Sequence, residues 1–428
     1  MKVDESVRQR SLLDSYRVLD LADDKGLLCG KILGDLGADV IKVEKPGGDA
    51  ARNIGPFYND IPSPEKSLFW FFTNLNKRGI TLDIENPDGK EIFKRLVRTA
   101  DFVIESFEPG YMESLGLGYE ELEKINPRII MTSITPFGQS GPYAHYKATD
   151  LVGEAMGGLV RMFGELDRPP NRIGAPQVYF MGGLHGFTGS MLAHYHRELS
   201  GEGQHVDISC QQAVAMATPP VIVVQDIMGF SFRGLGSSTM YPRAAPHEML
   251  MLRLHYRCKD GYVFAPLLGG GQAGMVKSTR TVVEKANREG MLLELKDYDW
   301  TKHDTSTIPK ERFDRLQELW QEYLLTKTKA ELLKWAAAEE VLILPVSDAK
   351  DTVESPQLTA REFWAKVEHS ELGQAITYPG WPIKMSELPR YQPQRRAPLI
   401  GEHNEEIYKD ELGLSKEQLI LLKARGII

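Results

Sequence analysis

Short apolar runs alternate with segments whose apolar residues recur at every third or fourth position along the first third of the chain. A short continuous apolar run indicates a buried strand. Apolar residues at every third or fourth position indicate a helix that covers the strand. Strands and helices that alternate in this way are typical of an α/β fold with a mostly parallel sheet. The predicted strands are 17–21, 38–44, 79–83, 101–105 and 128–134, and the predicted helices include 26–36 and 87–99.

The pattern changes in the rest of the chain. Residues 150–161 and 182–197 have helical spacing and many glycines, which predicts close packing against a ligand or a partner chain. Residues 216–236 show no regular pattern. A hairpin with an Asp-Gly turn is predicted over residues 255–265, and charged helices are predicted over 310–340.

Length and composition narrow the class of protein. The 428 residues exceed the size at which one hydrophobic core usually keeps growing, which predicts two domains. The net charge of −8 gives no general basic field, so neither nucleic acid nor an anionic membrane is an expected partner. No apolar run approaches the roughly 20 residues of a membrane span, and the charged amino terminus lacks the apolar core of a secretory signal.

The three cysteines, Cys29, Cys210 and Cys258, are far apart and form no CxxC pair. This spacing indicates neither a disulfide framework nor a zinc site. Together with the missing signal and span, it predicts a cytoplasmic protein without a bound metal.

The common nucleotide and metal motifs are not found where they would act. No GxGxxG opens the first helix, and GxxxxGK[ST] and HExxH do not occur, so dinucleotide chemistry, ATP hydrolysis and zinc proteolysis are not supported. Lys77 and Arg78 are predicted to lie in a loop, either at the ligand crevice of the sheet, where they would suit phosphate oxygens, or simply in solvent. The glycine run 269–274 is either an anion cradle or lid, or a connecting turn.

Asp150 stands at the predicted start of an apolar, glycine-rich helix. An Asp in this place is usually an N-cap that accepts hydrogen bonds from the amides of the first turn. A carboxylate can also be a nucleophile that forms a covalent acyl intermediate, with helix-start amides stabilising the developing charge. The residues by themselves leave both interpretations open.

Seven short motifs occur at residues 36–44, 76–83, 105–119, 137–143, 150–152, 203–209 and 396–403. Each is weak alone, but in this order they make nearly the whole chain resemble the class III CoA-transferases. That family includes formyl-CoA transferase, carnitine CoA-transferase and benzylsuccinate CoA-transferase.

The resemblance implies a covalent mechanism. Asp150 would attack the donor thioester to give a mixed anhydride and then a β-aspartyl-CoA thioester, which the acceptor acid resolves. A CoA thioester and a free carboxylic acid would be the substrates, with no tightly bound cofactor. The positions that match CoA contacts in the family are Lys45, Asn76, Lys77, Arg78, Ser106 and Phe107.

The resemblance also implies a Rossmann-like large domain and a smaller α+β domain, joined by two long linkers in an interlocked dimer of ring-shaped chains. The dimer would be a homodimer or a heteromer with a related subunit. The implied segments are the large domain 1–215, a linker 216–240, the small domain 241–335, a linker and return segment 336–394, and a C-terminal segment 395–428 that packs on the large domain.

The chain departs from the family in its first loop. Where members often have Arg or Gln followed by Ala-Gly-Pro, residues 22–27 read Ala-Asp-Asp-Lys-Gly-Leu, which predicts an unusual acid pocket. This loop resembles the benzylsuccinate branch, so succinyl-CoA is the expected donor and a dicarboxylic or aromatic acid the expected acceptor. The predicted pocket residues are Asp24, Lys25, Phe137, Gly270 and Gly271.

Two other functions are compatible with the resemblance. An α-methylacyl-CoA racemase shares the fold and moves a proton between a His and an acidic residue, but Thr149 stands at the His position and the acidic position falls near residues 177–178. The other is a subunit of a heteromeric CoA-transferase. The presence of Asp150 argues against a partner that has lost its nucleophile, and leaves open a heteromer in which this chain is the active half.

Overall fold

The fold is described from a computed structural model of the chain. The structure describes residues 11–428 except for residues 166, 230–232, 243–248, 269–272, 305–306 and 388–390. Contacts within the chain define two compact units, the first formed by residues 1–160, 172–231 and 359–428 and the second by residues 161–171 and 232–358. The second unit thus includes residues 161–171 of the predicted large domain. Its longer segment begins at residue 232, inside the predicted linker 216–240, and continues past the predicted end of the small domain at residue 335.

The strands are β1 (Arg17–Asp20), β2 (Asp39–Glu44), β3 (Lys77–Thr81), β4 (Phe102–Glu105), β5 (Ile130–Thr135), β6 (Gln204–Ser209), β7 (Ser238–Pro242), β8 (Met249–Arg253), β9 (His255–Cys258), β10 (Gly261–Phe264), β11 (Leu344–Val346), β12 (Trp364–His369) and β13 (Gln374–Pro379). The α-helices are α1 (Leu27–Asp35), α2 (Leu68–Thr73), α3 (Pro87–Val97), α4 (Tyr111–Ser114), α5 (Tyr119–Ile125), α6 (Asp150–Met156), α7 (Val178–Ser200), α8 (Cys210–Met216), α9 (Pro219–Met228), α10 (Ala273–Arg288), α11 (Lys310–Leu324), α12 (Lys329–Glu339), α13 (Ala349–Val353), α14 (Pro356–Ala360) and α15 (Lys416–Ala424).

A six-stranded parallel sheet forms the centre of the first unit, in the order β3-β2-β1-β4-β5-β6. β1, β2 and β3 therefore follow one another from the centre of the sheet to one edge, and β4, β5 and β6 follow one another from the centre to the other edge. This is the order of a doubly wound α/β fold, in which ligands bind where the strand order reverses. The predicted α/β class is confirmed.

Alternate residues of the strands face opposite sides of the sheet, and helices cover both sides. Val18 packs into a core that includes residues of α1 and α7, whereas its neighbour Leu19 packs into a second core that includes residues of α3 and α5. Because both sides are covered, the strands read as continuous apolar runs, and this made them recognisable in the sequence.

Glycines of α7 allow close packing inside the chain. A β-carbon on Gly186 would lie 2.6 Å from Cδ1 of Ile134, and one on Gly182 would lie 2.5 Å from Sγ of Cys210. These two glycines pack closely on β5 and α8 of the same chain, and packing of the glycine-rich segments against a ligand or a partner chain stays a prediction.

The second unit contains the β7-β8 hairpin, the three-stranded sheet β11-β10-β9 and the helices α10 to α13. The predicted hairpin over residues 255–265 is confirmed, since β9 and β10 pair antiparallel with Gly261 opposite Cys258. The core of the second unit includes Trp320, whose indole donates to the Ala265 carbonyl at 2.9 Å. In the first unit, α9 occupies much of the region 216–236 where no regular structure was predicted.

Candidate active site

The loops after β1 and β4 meet at the carboxyl ends of these strands, where the strand order reverses. Doubly wound sheets bind ligands at this place, which we call the crevice. Ser106 joins the two loops: its hydroxyl donates to the Asp23 carboxylate at 2.6 Å and accepts from the Asp23 amide at 2.8 Å. Lys25 forms an ion pair with Asp23. Three predicted site residues, Asp24, Lys25 and Ser106, therefore lie at one place.

Two carboxyl groups at this crevice have shifted proton affinities. The pKa of Asp24 is raised to about 6, first because burial disfavours its charge and then because the Asp23 carboxylate is close. Burial also raises the pKa of Glu105, at the end of β4, to about 7. The crevice thus holds carboxyl groups that gain or lose a proton near neutral pH.

The Asp150 carboxylate is bound by the first amides of α7. Oδ1 accepts hydrogen bonds from the amides of Val178 at 3.0 Å and Tyr179 at 3.2 Å, and Oδ2 accepts from the amide of Gln177 at 3.3 Å. The first amides of a helix have no partner within the helix, and its positive end favours an anion. The N-cap position of α6 belongs to Thr149, which makes no side-chain cap bond, so Asp150 caps a different helix from the predicted one.

Tyr179 connects Asp150 with the first loop. Its hydroxyl donates to the Ala148 carbonyl at 2.9 Å. Burial raises the pKa of this phenol, and the nearby charges of Asp24, Asp23 and Asp150 raise it further. The charges of Asp150 and of the first loop therefore both act on the Tyr179 phenol. No motif in the sequence pointed to Tyr179.

Glu154, one turn after Asp150 on α6, is a further carboxyl group that sequence reasoning missed. Its side chain is only 1% exposed, and it accepts a hydrogen bond from the Ile173 amide at 3.2 Å. Its pKa is raised, chiefly by burial and to a lesser degree by Asp150. The spacing of four residues after Asp150 was the one available signal.

Lys77 begins β3, so its predicted place in a loop is wrong. The ammonium is completely buried, and it donates to the Asp20 carboxylate at 2.7 Å, the Leu27 carbonyl at 2.9 Å and the Asn74 side chain at 3.0 Å. A buried charge of this kind needs such partners to offset its desolvation. The positive charge of Lys77 is therefore neutralised within the chain.

Arg78 also lies in β3, and the same correction applies to it. Its guanidinium bonds Asp39 at 2.6 Å and Glu406 at 2.7 Å and also contacts Glu411. Asn76 donates to Asp35 at 2.8 Å and accepts from the Gln394 amide at 2.7 Å. These bonds hold the strand start against the C-terminal segment, and a contact of these residues with CoA stays a prediction.

Lys45 and Phe107 follow the carboxyl ends of β2 and β4, on the same edge as the crevice. Lys45 is exposed and forms no ion pair with any described residue. Phe107 is half-buried, its ring lies 4.7 Å from that of Tyr111, and its amide donates to Glu105 at 2.7 Å. An unpaired cation and an aromatic ring thus line this edge.

The remaining pocket predictions have different outcomes. Phe137, after β5, is 8% exposed and packs edge to face on Tyr143 with ring centres 6.1 Å apart. Gly270 and Gly271 lie outside the described residues. In the described ranges, no group of three or more His, Cys, Asp or Glu side chains is arranged to hold a metal ion. None of the helices described there has the length and hydropathy of a membrane span.

Comparisons with known proteins agree with the resemblance. The sequence model of CoA-transferase family III matches residues 13–404. The chain is 35% identical over 397 residues to the succinyl-CoA:(R)-benzylsuccinate CoA-transferase subunit BbsE of Thauera aromatica, with 92% of each chain covered. It is 33% identical over 430 residues to the formyl-CoA:oxalate CoA-transferase of Streptomyces coelicolor, covering 97% of this chain and 99% of the relative.

The fold has a counterpart among solved structures. A CAIB/BAIF family protein from Brucella suis superposes with a TM-score of 0.77 at 29% identity, covering 94% of this chain and 99% of that one. This chain has the strand order of a doubly wound sheet, with the reversal at β1 and β4. The family model matches most of its length. The chain therefore belongs to CoA-transferase family III.

Proposed function

We propose that this chain moves CoA from an acyl-CoA donor to a carboxylic acid acceptor at the crevice of β1 and β4, with Asp150 as the nucleophile. The observation that supports this best is the Asp150 carboxylate, held by three amides at the start of α7. Helix-start amides can stabilise an oxyanion that forms on such a carboxylate.

The two oxygens of Asp150 are not equivalent. Oδ1 accepts two amide hydrogen bonds, whereas Oδ2 accepts one at 3.3 Å. In the proposal Oδ2 attacks the thioester carbonyl, the C–S bond breaks, and CoA leaves as a thiolate. The product of this step is a mixed anhydride of Asp150 and the donor acid.

The thiolate then attacks the aspartyl carbonyl carbon of the anhydride. The donor acid leaves as a carboxylate, and a β-aspartyl-CoA thioester remains. The acceptor carboxylate attacks this thioester, and the same two steps in reverse order release the new acyl-CoA and regenerate Asp150. Each step exchanges one acyl bond for another, so neither an oxidant nor a metal takes part.

CoA would bind along the same edge of the sheet. Lys45 provides the unpaired ammonium for a phosphate, and Phe107 provides the aromatic surface for the adenine. Succinyl-CoA is the proposed donor, because the relative from Thauera aromatica carries that donor in its name and the first loop resembles that branch. A dicarboxylic or aromatic acid is the proposed acceptor.

The test uses purified protein, succinyl-CoA and mass spectrometry of the peptide that contains Asp150 after quenching and digestion. We expect a CoA or hydroxylamine-derived adduct on wild type and none on Asp150→Ala or Asp150→Asn. If no adduct forms with several acyl-CoAs, while the α-proton of a 2-methylacyl-CoA exchanges with solvent deuterium, the chain is a racemase and the proposal is wrong.

A second candidate is a heteromeric CoA-transferase in which another chain holds the intermediate. One observation favours it: a relative is named as a subunit. In this candidate the three amide bonds to Asp150 serve only to cap α7. Asparagine keeps an acceptor oxygen and can still cap. Full transfer activity of an Asp150→Asn preparation that contains a second family III chain would support this candidate.

The outer side of α7 suits an association with a second family III chain. Leu192, Tyr195 and Leu199 are 66%, 67% and 73% exposed, and their spacing places them on one side of the helix. We expect Leu192→Glu/Leu199→Glu to lower the molar mass measured by light scattering from a dimer to a monomer. Leu325→Glu, at an exposed leucine of the other unit, is the matched control and leaves the dimer intact.

A further inference from the structure

A second cavity lies at the opposite edge of the parallel sheet, next to the amino ends of β2 and β3. Its volume is about 810 Å³, within the range of roughly 300–1,000 Å³ typical of small-molecule sites. We call it the amino-edge cavity. All of its lining residues belong to the first unit, and they include Leu12, Leu36, Asp39, Trp381, Met385 and Arg395.

One part of the wall is apolar and contains an indole. Trp381 packs partly against the core that lies beside α1 and α7, and the exposed side chains of Ile383 and Met385 continue this surface. The Nε1 atom of Trp381 is buried and has no hydrogen-bond partner among the described residues.

The charged part of the wall has four carboxylates, of Asp14, Asp35, Asp39 and Glu362, and four cations, of Arg78, Arg361, Lys384 and Arg395. Asp35 bonds the Tyr391 hydroxyl at 2.8 Å and also pairs with Lys31, and Asp39 pairs with Arg78, so both carboxylates are occupied.

Not every cation of the wall has an ion-pair partner. Lys384 pairs with Glu362 at 3.7 Å, but neither Arg361 nor Arg395 forms an ion pair with a described residue. The carboxylate of Asp14 is the one unpaired negative group on the described wall, which leaves two guanidiniums against one carboxylate. Guanidinium groups bind carboxylates through two parallel hydrogen bonds.

We propose that the amino-edge cavity is a second binding site, for a small organic carboxylate with an aromatic or branched apolar body. The apolar body would pack on Trp381 and Met385, and the carboxylate would bind Arg361 or Arg395. The site lies at the other ends of the strands from the crevice, although Asn76 and Arg78, which the family resemblance matches to CoA contacts, line it, so competition with CoA is part of the test. It gives the chain a place for a free acid that is not the place of transfer.

The test follows Trp381 directly. The chain has six tryptophans, so 5-fluorotryptophan labelling gives six fluorine resonances, and Trp381→Phe identifies the one from the cavity. We expect titration with 2-naphthoate to shift this resonance to saturation. The resonance of Trp364, whose Nε1 also lacks a partner but which does not line the cavity, is the internal control and stays in place.

Charge is tested with exposed residues, whose replacement leaves the fold intact. Arg361→Ala/Arg395→Ala is expected to weaken 2-naphthoate binding about tenfold, equivalent to about 1.4 kcal/mol, whereas Arg98→Ala leaves it unchanged. The uncharged 2-naphthalenemethanol binds more weakly than the acid. Saturating CoA does not displace the probe, and the double variant transfers CoA at the wild-type rate.

Three results would overturn the proposal. The first is a Trp381 resonance that does not respond to 2-naphthoate, as expected if a second chain fills the cavity. The second is an affinity that is unchanged in the arginine double variant. The third is displacement of the probe by CoA, which would place the ligand in the crevice. None of these depends on whether Asp150 forms an adduct, so this test and that of the proposed function fail separately.

Discussion

The start of β3 and the loops after β1 and β4 use charged residues in opposite ways. Lys77 and Arg78 at the strand start are neutralised by carboxylates of the same chain. In the loops at the crevice, Asp24 remains a carboxyl group with a pKa near neutrality, and Lys45 has no ion-pair partner among the described residues. Identical residue types therefore stabilise the fold in one region and remain available for ligands in the other.

The largest effect is expected where a buried pair is broken. Lys77→Met leaves the Asp20 carboxylate, which is fully buried, without its cation and should lower the free energy of unfolding by about 3–5 kcal/mol. Urea denaturation measures this loss. The double variant Lys77→Met/Asp20→Leu should recover most of it, because no unpaired charge remains. A single variant of wild-type stability with a raised KM for acyl-CoA would instead make Lys77 a ligand contact.

The next effect concerns pH and Asp24. Its pKa is about 6 in the folded chain, above the ordinary value of 3.8, so the folded state binds the proton more tightly than the unfolded state. Stability from this group is present at low pH and is lost as pH rises through about 6. Asp24→Asn stays neutral, so its stability relative to wild type should increase by about 1–3 kcal/mol between pH 4 and pH 7. Parallel stability curves for the two proteins would show that the crevice does not desolvate Asp24.

Variants of Asp150 distinguish a carboxylate that stabilises the fold from one that takes part in the reaction. Asp150→Ala removes the acceptor of three amides at the start of α7 and should cost about 1–2 kcal/mol in thermal or urea unfolding. Asp150→Asn should keep most of that stability, because its amide oxygen can accept one or two of the bonds. If Asp150 is the nucleophile, both variants lose transfer, although only the alanine variant loses stability.

The smallest effect is expected for Lys45. Removing its exposed ammonium should raise the KM for acyl-CoA by about threefold to tenfold, corresponding to roughly 1 kcal/mol, without changing stability. Steady-state kinetics at two salt concentrations measure it, since the contact weakens as salt is added. Lys366→Ala, at an exposed lysine of β12, is the control. Equal kinetics for the two variants would contradict a role of Lys45 in binding CoA.

Sequence reasoning identified the elements whose burial follows from composition. The predicted strand 38–44 appears as β2 (Asp39–Glu44), and the predicted helix 87–99 appears as α3 (Pro87–Val97). The start of β3 was missed by two residues because Lys77 and Arg78 are polar and yet buried. A prediction from apolar and polar positions assumes that polar residues are exposed. The assumption fails where ion pairs allow charged side chains to be buried in the core.

In the candidate site, too, sequence reasoning identified some residues and missed others. Asp24, Lys25 and Ser106 were chosen from the first loop and a motif, and the structure brings them together around Asp23, whereas Asp150 lies at the start of α7. Tyr179 and Glu154 were missed, because a tyrosine without a motif and a glutamate in a helix carry no local signal of their surroundings.

By itself the sequence determined the class of fold, the family and the residues able to carry the chemistry, because these depend on local periodicity and on short motifs. Only the tertiary structure decided that Asp150 caps α7 and that the carboxylates around Lys77 and Arg78 neutralise them. The physical reason is distance along the chain: Asp150 and Val178 are 28 residues apart, and Arg78 and Glu406 are 328 apart. The energy of a charged side chain depends on such partners, and folding alone brings them within hydrogen-bonding distance.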